Sequence, residues 1–229
     1  PTEVCKTNLL KENISDKTIF ITGNTVIDAL FLTLNKIHSN VSLENEIINR
    51  VLKFGFNPNN KFVLITCHRR ENFGKNFIDI CEAIAHLAKQ NSKISFVYPV
   101  HLNPEVNIPT YKILSKIDNV YLLDPFVYED FVYLMDKSYM IITDSGGIQE
   151  EAPSLGKPVL VLRETTERPE ALESGVVKLV GTNKETIISN VQELLNNKKS
   201  YGIISNSKNP YGDGKASYKI VDELRKIID

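Results

Sequence analysis

Four short stretches of this 229-residue chain gather side chains able to do chemistry. The first is Asp144-Ser145-Gly146-Gly147-Ile148-Gln149-Glu150-Glu151, where an apolar run ends in a Ser-Gly-Gly turn that opens a helix. Glycines let a ligand approach the backbone. A helix start offers unpaired N–H groups and the positive end of the helix dipole, which together make a phosphate seat. Glu151 follows about one helical turn later, where a carboxylate can accept hydrogen bonds from ribose hydroxyls. The same residues also describe a tight strand–helix connection with Glu150 and Glu151 on a solvated face.

The second stretch, Cys67-His68-Arg69-Arg70-Glu71-Asn72, sets an imidazole that titrates near neutrality beside guanidiniums suited to anions. It reads equally as a self-paired surface loop. Cys67 is no catalytic partner for His68, because neighbours in an extended segment point to opposite sides; it reads as a core thiol. The third, Tyr98-Pro99-Val100-His101-Leu102-Asn103-Pro104, brings a second imidazole to a strand end, for function or as a satisfied structural group. The fourth, Arg163-Glu164-Thr165-Thr166-Glu167-Arg168-Pro169-Glu170, is a second anion clamp or an ion-paired turn, with Pro169 suited to open a short helix. His38 and His86 fall on helices without a partner cluster and read as structural, and Phe126, Tyr128, Phe131 and Tyr133 as core or helix-face packing. No metal-ligand spacing, Walker A loop or Gly-x-Gly-x-x-Gly loop occurs, so classical nucleoside triphosphatases and dinucleotide dehydrogenases fit poorly.

All four stretches follow short apolar runs, and those runs define the scaffold. Strands are expected over 62–66, 94–100, 120–124, 139–143, 157–162 and 176–180, with helices over 76–90, 111–117, 128–137, 147–155 and 184–196. In the first of these helices Ile80, Ala83, Ile84 and Leu87 recur at spacings of three and four. Near-continuous apolar strands alternating with helices predict an α/β fold with a doubly wound parallel sheet. Ligands in such sheets sit beyond the carboxyl ends of the strands, which is where the four stretches fall. The first sixty residues differ: a strand over 18–22, then helices over 26–36 and 43–54. A strand with no partner in its own segment reads as the tail of a preceding domain followed by a crossover. The turn-rich Asn209-Pro210-Tyr211-Gly212-Asp213-Gly214 precedes an amphipathic helix over 216–228.

Composition removes several classes. With 27 basic and 28 acidic side chains the chain has no overall charge for gripping a nucleic-acid backbone. A hydrophobic content of 42% supports one large domain, or one domain plus a piece of another, rather than disorder. No apolar run approaches the roughly 20 residues that cross a bilayer, and the opening residues do not read as a signal peptide. Cys5, Cys67 and Cys81 lack metal-type spacing and suit a reducing compartment, so a cytoplasmic location is expected.

Together the stretches resemble one family, the bacterial non-hydrolysing UDP-N-acetylglucosamine 2-epimerases. The resemblance is carried by Thr22-Gly23-Asn24-Thr25-Val26-Ile27-Asp28, His68-Arg69-Arg70-Glu71-Asn72-Phe73-Gly74 and Pro99-Val100-His101-Leu102-Asn103-Pro104, and continues through the long block from Asp144 to Pro158, the stretch from Arg163 to Glu170 and the stretch from Asn209 to Gly214. It runs along the whole chain in the family's order. It implies a GT-B-type fold, two Rossmann-like halves across a cleft, of which this chain matches the C-terminal, nucleotide-binding half. Residues 1–38 then correspond to the tail of the N-terminal domain and a crossover helix, 39–209 to the nucleotide-binding domain, and 210–229 to a helix that packs back toward the other half.

The family's reaction inverts C2 of the sugar by eliminating UDP and re-adding it, interconverting UDP-N-acetylglucosamine and UDP-N-acetylmannosamine without a cofactor. Its principal catalytic carboxylates lie on the N-terminal half, outside the stretches matched here, so this chain is expected to need that half, in cis or in trans. By resemblance Ser145, Gly146 and Gly147 hold the diphosphate, Glu151 the ribose and Phe131 the uracil. The Pro125-Phe126-Val127-Tyr128 preceding Phe131 departs from the family's usual Pro-Leu-Asp-Tyr. Arg168 and His68 face the diphosphate-sugar as catalytic groups, and Arg69, Glu71 and His101 match residues of an allosteric UDP-N-acetylglucosamine site. The expected partners are UDP-N-acetylglucosamine or UDP, the other half and, as in much of the family, a second copy in a homodimer; nucleic acid and membrane are not expected. A non-catalytic UDP-sugar-binding remnant, half of a GT-B glycosyltransferase and a hydrolysing epimerase stand as alternatives.

Overall fold

The apolar runs become strands because both of their faces are covered. In the computed structural model, which describes residues 1–228, β1 (Phe62–Thr66), β2 (Ser95–Pro99), β3 (Val120–Leu123), β4 (Met140–Thr143), β5 (Val159–Val161) and β6 (Val177–Leu179) form one sheet. All neighbours are parallel, in the order β3-β2-β1-β4-β5-β6. Alternation along each strand feeds two core layers. Val63, Ile65, Phe96, Tyr98, Met140 and Ile142 face one layer, while Phe62, Leu64, Val97, Ile141 and Val159 face the other.

The first layer is closed by α4 (Lys75–Gln90), α5 (Pro104–Leu114) and α9 (Lys184–Asn196). The α4 helix buries Phe77, Ile80, Ile84 and Leu87, each contributing about 1.5–3 kcal/mol of burial. The second layer is closed by α2 (Thr25–His38), α6 (Tyr128–Lys137) and α7 (Gly146–Glu151), with α3 (Val41–Leu52) outside α2. Short helices α8 (Pro169–Glu173) and α10 (Lys198–Ser205) complete the periphery, with α1 (Glu3–Lys11) at the start and α11 (Ala216–Ile228) at the end.

The chain leaves β1 outward through β2 and β3, then returns to lay β4 on the other side of β1. At this reversal the loops after β1 and β4 diverge and open a crevice at the carboxyl edge of the sheet. The two strands are locked there in register, Thr66 opposite Thr143, with their buried hydroxyls 2.7 Å apart in a hydrogen bond.

Four elements differ from the sequence expectation. Residues 18–22 are not a strand: a 3-10 turn at Asp16–Thr18 leads into extended backbone with no sheet neighbour, and Phe20 and Ile21 are exposed. The helix after β2 begins at Pro104, not near 111, because Asn103 caps it, its side chain accepting from the Glu105 N–H at 3.0 Å, and proline is at home in a first turn. Helices α1 and α10 lie outside the apolar pattern altogether. Among the described residues no helix is long and apolar enough to cross a membrane.

Candidate functional site

The crevice is organised around a carboxylate that never reaches solvent. Asp144 ends β4 and is 0% exposed. It accepts from the backbone N–H of His68 at 2.9 Å and of Arg69 at 2.8 Å, from the Asn72 amide at 3.1 Å and from the Cys67 thiol at 3.1 Å. A buried carboxylate costs several kcal/mol unless its lone pairs are filled, and here they are. The effect is to bind the loop after β1 onto the loop after β4. Burial, and next the Asp144 charge, push the Cys67 thiol well above its usual range, which makes it the core thiol expected from the sequence.

His68 is held at its backbone and left free at its ring. The side chain is 42% exposed, with Nδ1 3.8 Å from Asp144. Its imidazole stacks on His101, ring centroids 5.4 Å apart, so the two strand-end histidines meet. The His101 Nδ1 accepts from the Asn103 N–H at 3.1 Å, which places its neutral-state proton on Nε2.

Two guanidiniums converge on the Ser-Gly-Gly turn. A Cβ added at Gly146 would lie 3.4 Å from Nη2 of Arg69 and 3.7 Å from Nη2 of Arg168. The start of α7 therefore carries its own dipole and two cations, a strong seat for an anion. Arg168 gives its Nε to Glu150, whose other oxygen accepts from the Asn24 amide at 2.7 Å. The Arg69 guanidinium, among the described residues, has one ion-pair partner, Glu167 at 3.8 Å. Arg163, from the same stretch as Arg168, does not face this seat. It is 5% exposed and forks between Glu71, at 2.5 Å, and Glu167, at 2.5 Å. That contact holds Glu167 down to about 2. The fourth stretch thus divides: Arg163 makes an ion-paired turn, and Arg168 turns Nη2 toward Gly146.

On the far side of α7, Glu151 is 7% exposed and accepts from the Tyr128 hydroxyl at 2.5 Å. Burial raises its carboxyl above the usual range, the Tyr128 bond works the other way, and neighbouring Glu150 raises it further. Phe131 lies three residues beyond Tyr128 on α6, the same helical face, and packs with Phe126 against the second core layer. Sequence reasoning assigned Tyr128 to packing. Its three-residue spacing from Phe131 was the available signal, but nothing in the sequence brings it to Glu151. Asp144, Asn24 and Glu150 have no chemical role legible in the sequence, since the Asn72 partner of Asp144 lies 72 residues away and Asn24 lies 126 from Glu150.

Among the described residues no group of three or more His, Cys, Asp or Glu is placed to hold a metal ion. A cleft of about 930 Å³ lies elsewhere, between Ile21, Phe31, Lys208 and Pro210, and neither Arg69 nor Arg168 lines it.

Comparison with known proteins places this geometry in context. A family described as UDP-N-acetylglucosamine 2-epimerase matches residues 1–225. A relative from Campylobacter jejuni, a UDP-N-acetylglucosamine 2-epimerase, is 54% identical over 227 residues, covering 99% of this chain and 59% of the relative. The crystal structure of the Neisseria meningitidis UDP-GlcNAc 2-epimerase bound to UDP-GlcNAc superposes with a TM-score of 0.92 at 49% identity, across 99% of this chain and 60% of that one. The Methanocaldococcus jannaschii UDP-GlcNAc 2-epimerase in complex with UDP-GlcNAc and UDP gives 0.81 at 34% identity, across 99% and 60%. The sheet is one Rossmann-like half of a GT-B-type fold, and the chain spans about 59% of the length of the curated relatives it matches.

Proposed function

Because this chain belongs to the UDP-N-acetylglucosamine 2-epimerase family, we propose that it is the nucleotide-binding half of an enzyme interconverting UDP-N-acetylglucosamine and UDP-N-acetylmannosamine. The observation that carries the reading is the convergence of Arg69 and Arg168 on Gly146 at the start of α7. In the proposed complex the diphosphate rests on Ser145, Gly146 and Gly147, the ribose hydroxyls donate to Glu151, and the uracil lies toward Phe131. The Tyr128 hydroxyl already occupies a Glu151 oxygen, so it stands where a ribose hydroxyl would donate and either moves aside or shares the carboxylate.

The chemistry asked of this half is charge stabilisation. Elimination removes the C2 proton and breaks the bond between the anomeric carbon and the β-phosphate oxygen, so UDP departs with the bonding pair. Re-addition returns that bond while a proton arrives at C2 from the opposite face. Arg168 turns Nη2 toward Gly146, where the departing diphosphate would gain charge, and His68, with its exposed ring after β1, is suited to assist proton transfer. The acid and base that work on C2 are assigned to the part of the relatives that this chain does not cover, so turnover requires that part, in cis or in trans. Arg69, Glu71 and His101 are assigned to a second, regulatory UDP-N-acetylglucosamine. Arg69 faces Gly146 and His101 stacks on His68, while Glu71 is held by Arg163, away from the seat.

A second reading is a UDP-sugar-binding protein without catalysis. Calorimetry with UDP tests the shared claim. Binding that disappears in Arg168→Glu and in Glu151→Lys, with the fold intact by circular dichroism, is expected; unchanged affinity in either variant removes the assigned site. Turnover of UDP-N-acetylglucosamine when the remaining part of the enzyme is supplied separates the first reading from the second.

A further inference from the structure

The proposed seat depends on where Arg168 points, and two residues that do not face it decide that direction. Glu150 is 8% exposed and divides its carboxylate: one oxygen takes Nε of Arg168, the other the amide of Asn24 at 2.7 Å. Since Nε is the nitrogen engaged, Nη2 is left free toward Gly146. Asn24 cannot turn its amide over. Its Oδ1 accepts from the Val26 N–H at 3.1 Å, capping α2, so its NH2 group must face Glu150. The backbone around Asn24 is fixed as well, its N–H donating to the Tyr211 carbonyl at 2.7 Å. Beside it Gly23 (φ +89°) and Gly212 (φ +124°) meet backbone to backbone, where a Cβ at Gly23 would come within 3.3 Å of the Gly212 Cα. Asn209, from the same segment as Tyr211, donates to the Glu150 carbonyl at 2.8 Å. Two chain segments remote in sequence thus hold Glu150 from both ends.

We infer that Asn24 and Glu150 are positioning residues that hold the Arg168 guanidinium over Gly146 for a diphosphate. This rests on the reading that the seat takes a diphosphate, and it names the residues that prepare the seat before ligand arrives. The polarity of the relay is fixed: a cap acceptor and a donor on Asn24, two acceptors on Glu150, a donor on Arg168.

That polarity supplies the test. Asn24→Asp keeps the cap on α2, since aspartate caps as well as asparagine, but turns the donor facing Glu150 into a second carboxylate. Glu150→Gln keeps the shape but sets an amide against the Asn24 amide and removes the counter-charge of Arg168. In the double variant the new amide donates to the new carboxylate, and Arg168 recovers an acceptor. The expected result is a roughly tenfold loss of UDP affinity in each single variant, with recovery in the double to within about threefold of wild type. Uridine, which has no phosphate, should bind all four proteins equally by ligand-observed NMR. Unchanged UDP affinity in the singles, a double variant no better than the product of the singles, or parallel loss of uridine would overturn the inference. Failure of the wild-type chain to bind UDP at all would instead remove the diphosphate reading beneath it.

Discussion

Two arginines five residues apart on the loop after β5 show how one side-chain type is made into scaffold or tool. Arg163 is 5% exposed and spends its guanidinium on two carboxylates, Glu71 and Glu167. Arg168 is 33% exposed, gives one nitrogen to Glu150 and turns another toward Gly146. The first ties the loop after β5 to the loop after β1, and its charge is cancelled where it stands. The second is steered by one carboxylate and keeps capacity for an incoming anion. What separates them is the number of carboxylates within reach and which nitrogen each takes.

The sharpest way to break this contrast is to remove the positive charge at each position. Arg168→Glu should cost about a hundredfold or more in UDP affinity, about 2.7 kcal/mol, and also lower the melting temperature, because it sets a second carboxylate against the buried Glu150. Calorimetry and thermal melts check both halves of that statement. Glu151→Gln should cost roughly tenfold in affinity for UDP and also for uridine, because the ribose contact is common to both. A loss confined to UDP would move Glu151 out of the ribose role. Arg163→Met should differ, losing about 1–2 kcal/mol of stability in urea titrations while UDP affinity stays within a few-fold. Equal loss of binding in Arg163→Met and Arg168→Glu would erase the distinction.

The smallest effects are in pH, and they have opposite signs. Glu167 is held at about 2 against an ordinary 4.5, so its pair with Arg163 is fully present above pH 4.5 and is lost as pH falls toward 2. Glu151 is raised by its burial, so its ionised form costs stability, which declines as pH rises from 4.5 through the raised value. Ribose hydroxyls donate to the ionised form, so binding should strengthen over that same rise. Titration with UDP-N-acetylglucosamine rather than UDP checks this, because its diphosphate diester carries no group titrating in that window.

How far the sequence reveals this site follows from where each partner lies. All six strands are legible, because a parallel strand buried on both faces writes an unbroken apolar run, as Phe62 to Thr66 does. The Ser145-Gly146-Gly147 turn is legible as a strand end opening a helix. Expecting a strand over 18–22 fails because apolar letters state what a segment resembles, not whether a sheet edge is there to receive it; Phe20 and Ile21 stay exposed. Tyr128 reads as packing because its role is a contact with Glu151, made only when α6 and α7 are laid side by side. The Arg163–Arg168 contrast is likewise invisible in one dimension. Glu71, which helps neutralise Arg163, lies 92 residues before it, and Asn24, which fixes the acceptor of Arg168, lies 126 before Glu150.

The most direct test of the central claim is proton NMR of UDP-N-acetylglucosamine in D2O with this 229-residue chain alone. The account predicts saturation transfer to the uridine protons and an undiminished sugar H2 signal: a nucleotide-binding half that holds substrate without turning it over. Loss of H2 with appearance of UDP-N-acetylmannosamine would show that the residues present suffice for catalysis, and an absence of saturation transfer would show that the seat at Gly146 is not a nucleotide site.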